Sequence, residues 1–122
     1  MNNLTMKELM AMSHALYEEN KASWSPMTPE YGKDFILYMI EEIGEVISVI
    51  KKKSIEEIMT EGPVREHMVE ELADVLMYFI DTLNRYHISA EEFSNAYTKK
   101  FNSNLKRDYK KDHDEFILKE TV

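Results

Sequence analysis

Two short acidic clusters stand out in this 122-residue chain: Glu41-Glu42-Ile43-Gly44-Glu45 and Glu70-Glu71-Leu72-Ala73-Asp74. Each holds a carboxylate pair at i, i+3, Glu42 with Glu45 and Glu71 with Asp74. On a helix that spacing puts two side chains on neighbouring turns of one face. The 25 residues between Glu45 and Glu71 are enough to finish one helix, turn and begin the next. Two antiparallel helices would then set four carboxylates opposite one another. Such a group repels itself unless a cation sits within it, and a hard, oxygen-seeking divalent ion such as magnesium is the natural occupant.

The elements that must carry these residues are helical. Gly and Pro number three each, and the Met, Leu, Glu, Lys and Ala content favours helix over a multi-strand fold with tight turns. Thr5 with Glu8 forms a capping box that predicts a first helix from about Met6 to Asn20. A loop follows over residues 21–29, broken by two prolines and two serines and carrying the only tryptophan, Trp24. Trp24 reads equally as a loop anchor over the core or as a platform for a flat ligand group. Thr28 and Pro29 predict the start of a second helix, from about Glu30 to Lys52. Its apolar stripe comprises Phe35, Met39, Ile43, Val46 and Ile50, widened by Ile36, Ile40 and Ile47. Counting about 100° per residue from Met39 puts Glu42 about 60° from the stripe centre and Glu45 about 120°. Gly44 in mid-helix suggests close approach of another helix or a ligand.

Ser54 with Glu57 caps a short helix over about Ile55–Thr60, and Glu61-Gly62-Pro63 separates it from a third long helix, about Val64–His87. The expected core stripe there is Met68, Leu72, Val75, Leu76, Phe79, Ile80 and Leu83. Glu71, Asp74, Tyr78 and His67 share a polar ridge beside it, about 100–160° from Leu72. Neither Glu71 nor Asp74 has a basic residue at i+4, which argues for an external cation. Ser89 with Glu92 predicts a fourth helix, from about Ala90 to Arg107, whose C-terminal half is basic. The tail over 108–122 is charged until Phe116-Ile117-Leu118 and reads as a short helix or a partner-binding extension.

The totals narrow the class. The length suggests a single domain, and the absence of cysteine excludes disulfides, zinc–thiolate sites and cysteine nucleophiles. A net charge of −8 is a poor match to nucleic-acid polymers or anionic membranes. No apolar run approaches the ~20 residues of a membrane span and no signal-peptide pattern opens the chain, so a soluble cytoplasmic protein is expected. A di-iron bundle would use Glu-x-x-His, and no histidine here has a glutamate three residues before it.

Glu42-x-x-Glu45, then Glu71-x-x-Asp74, then Lys100-x-x-x-Asn104-x-x-Arg107 on the following helix resemble the MazG-like, all-α nucleoside triphosphate pyrophosphohydrolases. The resemblance covers about residues 5–107, leaving 108–122 as a C-terminal extension. It implies an all-α, four-helix-type bundle with a short extra helix in the central connection, completed as a homodimer or homotetramer. It implies magnesium-dependent hydrolysis of a nucleoside triphosphate to monophosphate and pyrophosphate, with manganese able to substitute. By motif, Glu42, Glu45, Glu71 and Asp74 would be the catalytic metal ligands. Lys100, Asn104 and Arg107 would engage the phosphate tail, Tyr78 would lie near the phosphates and Trp24 near the base. Some relatives carry a lysine one turn before the second acidic pair; His67 holds that position here, with Arg65 nearby. Two alternatives accompany this reading: a phosphoribosyl-ATP pyrophosphohydrolase-like enzyme, and a non-enzymatic helical module with solvated acidic faces.

Overall fold

The structure, a computed structural model, describes residues 2–107 and 109–121; Asp108 and Val122, the ends of the expected tail, lie outside them. Among the described residues the chain is all-α: α1 (Met6–Asn20), α2 (Gly32–Lys52), α3 (Ile55–Met59), α4 (Pro63–Arg85), α5 (Ala90–Leu105) and α6 (Tyr109–Thr121). These group into two compact units, residues 1–90 and 91–122.

Local chemistry sets most of the helix starts. At α1 the Glu8 backbone N–H donates to Thr5 Oγ1 at 3.1 Å, while the Thr5 N–H donates to the Glu8 carboxylate at 3.0 Å. Ser54 and Glu57 repeat the reciprocal pair at α3. Each box satisfies two N–H groups that the helix leaves unpaired. The start of α2 differs from expectation. Pro29 heads a single 3₁₀ turn, Pro29–Tyr31, and Thr28 makes no side-chain cap bond, so the α-helix begins only at Gly32. Gly62 precedes α4 at φ 152°, a conformation that only glycine adopts without strain, and Pro63 takes the first helical position. At its other end α4 stops at Arg85, and His87 turns the chain at φ 57°.

The first unit is built on the pairing of α2 with α4. Phe35 meets Tyr78 and the Arg85 guanidinium, while Glu42 meets Glu71 and Asp74, so the two helices run antiparallel. The partly or fully buried residues of α2 include Phe35, Met39, Glu42, Val46 and Val49, steps of four and three. On α4 the matching row is Met68, Glu71, Val75, Tyr78, Thr82 and Arg85, steps of three and four. Both rows follow the 3.5-residue period of an antiparallel coiled-coil seam.

This corrects the stripes expected from sequence. Ile36, Ile40, Ile43, Ile47 and Ile50 form a second row on α2, also in steps of four and three, and all five are exposed. Leu72 and Leu76 are exposed on α4, whereas Ile80 and Leu83 are buried as expected. Apolar residues on α2 span more than one helix face, and α4 covers only one of the two rows. No other helix comes within 4 Å of the space a Cβ at Gly44 would fill, so the close approach of a neighbouring helix is not found among the described residues.

α1 lies against α4, where the Asn84 side-chain amide donates to the Met10 carbonyl at 3.0 Å. No residue of α1 is fully buried, and Leu9, Met10, Ser13 and Tyr17 are among its partly buried positions. In the second unit, α5 and α6 are joined by a short connection where Arg107 pairs with Asp112 at 2.5 Å. Removing the inter-helix bond with Asn84→Ala should cost about 1 kcal/mol, read as a lower urea midpoint with an unchanged m-value.

Candidate active site

The acidic residues read from sequence divide in the structure. Glu42, Glu71 and Asp74 each bring an oxygen within 4.8 Å of the others. Glu42 stands on α2 and the other two on α4, and all three are half-buried. Glu42 and Glu71 occupy the seam itself rather than its flank, which the angular count from Met39 and Leu72 did not anticipate. Glu45, one turn on, is exposed and outside the converging group, but close enough to add its charge to the field at Glu42. Glu41 and Glu70 are exposed.

Electrostatics mark Glu42 as the strained member. Partial burial pushes its carboxyl above the usual range, and the hydrogen bond with Glu71 and the charges of Asp74, Glu71 and Glu45 push the same way. A cluster of oxygen donors that favours a proton in place of a cation suits a hard divalent ion. His67 is exposed, with Nε2 3.6 Å from a Glu71 oxygen. Arg65 instead donates to the Ile58 carbonyl at 3.2 Å, tying α3 to α4.

A cleft of about 950 Å³ opens from these carboxylates. Glu42 and Asp74 line it, followed by Tyr38, Tyr78, Trp24 and the α1 residues Leu9, Met12 and Leu16. Its walls are mostly apolar with a few polar groups, the usual make-up of a small-molecule site. Tyr38, Tyr78 and Phe35 form a ring cluster with centroids 5.3–6.1 Å apart. Burial, followed by the nearby Glu42 and Asp74 charges, raises the Tyr78 phenol above its ordinary value. The hydroxyl is thereby kept as a donor.

The Trp24 loop is held from beneath by Arg85, which is 0 % exposed. Arg85 Nη1 donates to the Ser25 and Pro26 carbonyls at 3.2 and 2.6 Å, and Nε donates to Asp81. Its guanidinium lies 3.6 Å from the Phe35 ring centroid, a cation–π contact. Tyr17 Oη accepts from the Met27 N–H at 3.2 Å and secures the loop's far side. Sequence reasoning passed over Tyr38, Asp81 and Arg85. The signal was an i, i+4 acid–base pair inside the buried end of a helix, around Ile80 and Leu83. Lys100 and Asn104 lie one turn apart on α5, with Arg107 just past its end.

The raised Glu42 carboxyl has a stability consequence. Between its ordinary value and the raised folded value, the folded state holds a proton that the unfolded chain has released, so stability falls as pH rises through that window. With a chelator present, the melting temperature should decline as pH rises upward from the ordinary glutamate range. Glu42→Gln should flatten that decline and raise the melting temperature at neutral pH; thermal melts across pH provide the check.

Comparison with known families gives one match: the MazG nucleotide pyrophosphohydrolase domain, over residues 32–107. No curated protein and no solved structure matches the chain significantly. The matched span begins at the first residue of α2, includes both acidic pairs and ends at Arg107. It covers more than half of the chain, and with three carboxylates converging beside an apolar cleft, it places this all-α protein in the MazG nucleotide pyrophosphohydrolase family, whose members are hydrolases.

Proposed function

We propose that the chain hydrolyses a nucleoside triphosphate, NTP or dNTP, to the monophosphate and pyrophosphate, with magnesium as its metal, acting in the cytoplasm on the nucleotide pool. The observation that carries this reading is the continuity of the carboxylate group with the Trp24-lined cleft. Triphosphate and base need adjacent sites of opposite character, and the first unit offers both. Glu42, Glu71 and Asp74 would hold the metal, with Glu45 as a further ligand from the next turn. Bound there, a divalent ion neutralises phosphate charge and lowers the pKa of a coordinated water.

The chain's own groups then have definite tasks. A water oxygen bonds to the α-phosphorus as the bond from that phosphorus to the α–β bridging oxygen breaks. The water's proton passes to a cluster carboxylate not fully used as a metal ligand, for which the half-buried, converging Glu42 is better placed than the exposed Glu41. Tyr78, kept neutral one turn beyond Asp74, donates to a phosphate oxygen. The family motif assigns the donors for the departing pyrophosphate to Lys100, Asn104 and Arg107, and charge-assisted bonds of this kind would favour the developing negative charge. Trp24 stacks on the base. The single catalytic domain in this reading spans about residues 5–107.

A nucleotide panel with magnesium, scored for pyrophosphate against orthophosphate, tests the reaction, and phosphoribosyl-ATP belongs in it as the second enzymatic substrate class. Pyrophosphate is the expected product; orthophosphate alone, or no product from any nucleotide, would count against the reaction. Asp74→Asn removes one ligand from a group expected to supply several kcal/mol. Turnover should therefore fall by about 100-fold or more while the far-UV spectrum stays helical.

The open isoleucine row on α2 supports assembly with a second copy of this chain as a homodimer or homotetramer. A heptad-spaced apolar row is the pattern that another helix covers. Light scattering should give a multiple of the 14.4 kDa chain mass. The pair Ile40→Glu and Ile47→Glu, on that row, should return the mass to one chain.

A further inference from the structure

The cleft continues along α4 past the carboxylates, and its lining there includes Asp81. At ~1.5 Å per residue, Asp81 lies about 10 Å along the helix from Asp74. That separation is comparable with the reach of a nucleotide from its α-phosphate to the far edge of its base. Asp81 is 6 % exposed, yet it still forms part of the cleft wall.

The pair it forms with Arg85 is an expensive way to fill a helix interface. Desolvating both ions opposes folding, and a well-packed apolar pair of similar volume is often at least as stable. Arg85 Nη2 is also enclosed without a hydrogen-bond partner. The same guanidinium, however, fixes two walls at one end of the cleft. Its Nε holds the Asp81 carboxylate, and its Nη1 holds the Ser25 and Pro26 carbonyls directly after Trp24. An aromatic face and a carboxylate are thus set in register by one planar fork.

We propose that Asp81 determines base specificity by accepting a hydrogen bond from an exocyclic amino group, with Arg85 as the residue that positions both Asp81 and Trp24. The proposal rests on the nucleotide pyrophosphohydrolase reading. An ionised carboxylate only accepts, and Arg85 already takes up one oxygen from behind. A base that turns an amino group to this wall supplies the missing donor. A carbonyl in the same place sets lone pair against lone pair and is rejected. The class selected is therefore amino-bearing bases over their keto counterparts, cytosine over uracil and adenine over hypoxanthine.

Trp24 is the only tryptophan, so its fluorescence reports on this end of the cleft without turnover. The test titrates the wild-type chain with CMP against UMP and AMP against IMP. At least one amino-bearing partner should bind ~10-fold tighter or more than its keto counterpart. Equal affinities within both pairs, or no binding of any of the four, would overturn the proposal. Arg85→Lys keeps the charge but lacks the fork, and should shrink the ratio in a chain that melts cooperatively; an unchanged ratio would remove Arg85 from the role. Asp81→Asn combined with Arg85→Gln leaves no unpaired charge and should bring the ratio close to one. Pyrophosphate release is scored separately with dCTP and dUTP. Release from both at equal kcat/KM, with equal monophosphate affinities, leaves the hydrolase reading standing and removes this one. Base discrimination without pyrophosphate release does the reverse.

Discussion

Glu42 and Glu71 sit in the α2–α4 seam at positions where the rows otherwise hold mostly apolar residues. The seam brings them together with Asp74, and like charges that close raise one another's proton affinity. The pairing that builds the first unit therefore also builds its most strained electrostatic feature. Phe35, Val46 and Val49 are buried on either side of Glu42 and hold α2 in register, so the backbone positions that bring the carboxylates together are fixed by the seam. A divalent cation relieves this arrangement more fully than a shared proton, because all three groups can then be ionised together.

The rest of the unit extends from that seam. Two turns along α4, the buried Asp81–Arg85 pair fastens the loop that carries Trp24. Tyr78 and Tyr38 fill the space between the acidic and aromatic ends. α1 closes the side of the cleft and is attached through the Asn84 side chain. Polar chemistry thus lies at both ends of a largely apolar trough, an arrangement matched to a ligand with a charged tail and a flat head.

Much of the local structure was legible in the residue order. Thr5 with Glu8 and Ser54 with Glu57 mark helix starts because their side chains satisfy N–H groups a few residues away, and no distant contact is needed. Gly62-Pro63 marks another for the same local reason. The 3₁₀ turn at Pro29–Tyr31 was not legible. Thr28 and Pro29 look like a cap and a first position, but the Thr28 hydroxyl makes no cap bond, and it is buried without a partner. The stripes were misplaced for a different reason. With isoleucine on several faces of α2, periodicity alone gives a broad apolar arc, and the partner helix decides which row of that arc is covered.

The sequence by itself determined the helical class, the helix boundaries set by caps, and the two i, i+3 carboxylate pairs, because each depends on groups within one or two turns. The motif order carried the family, since types and spacings along the chain are what a family match reads. Tertiary structure alone decided which carboxylates converge, that Glu42 and Glu71 lie in the seam, and that Asp81 and Arg85 close the far end of the cleft. Those facts depend on the rotation of α2 against α4 and on contacts between residues about sixty positions apart, such as Arg85 with Ser25. No periodicity within one helix encodes them.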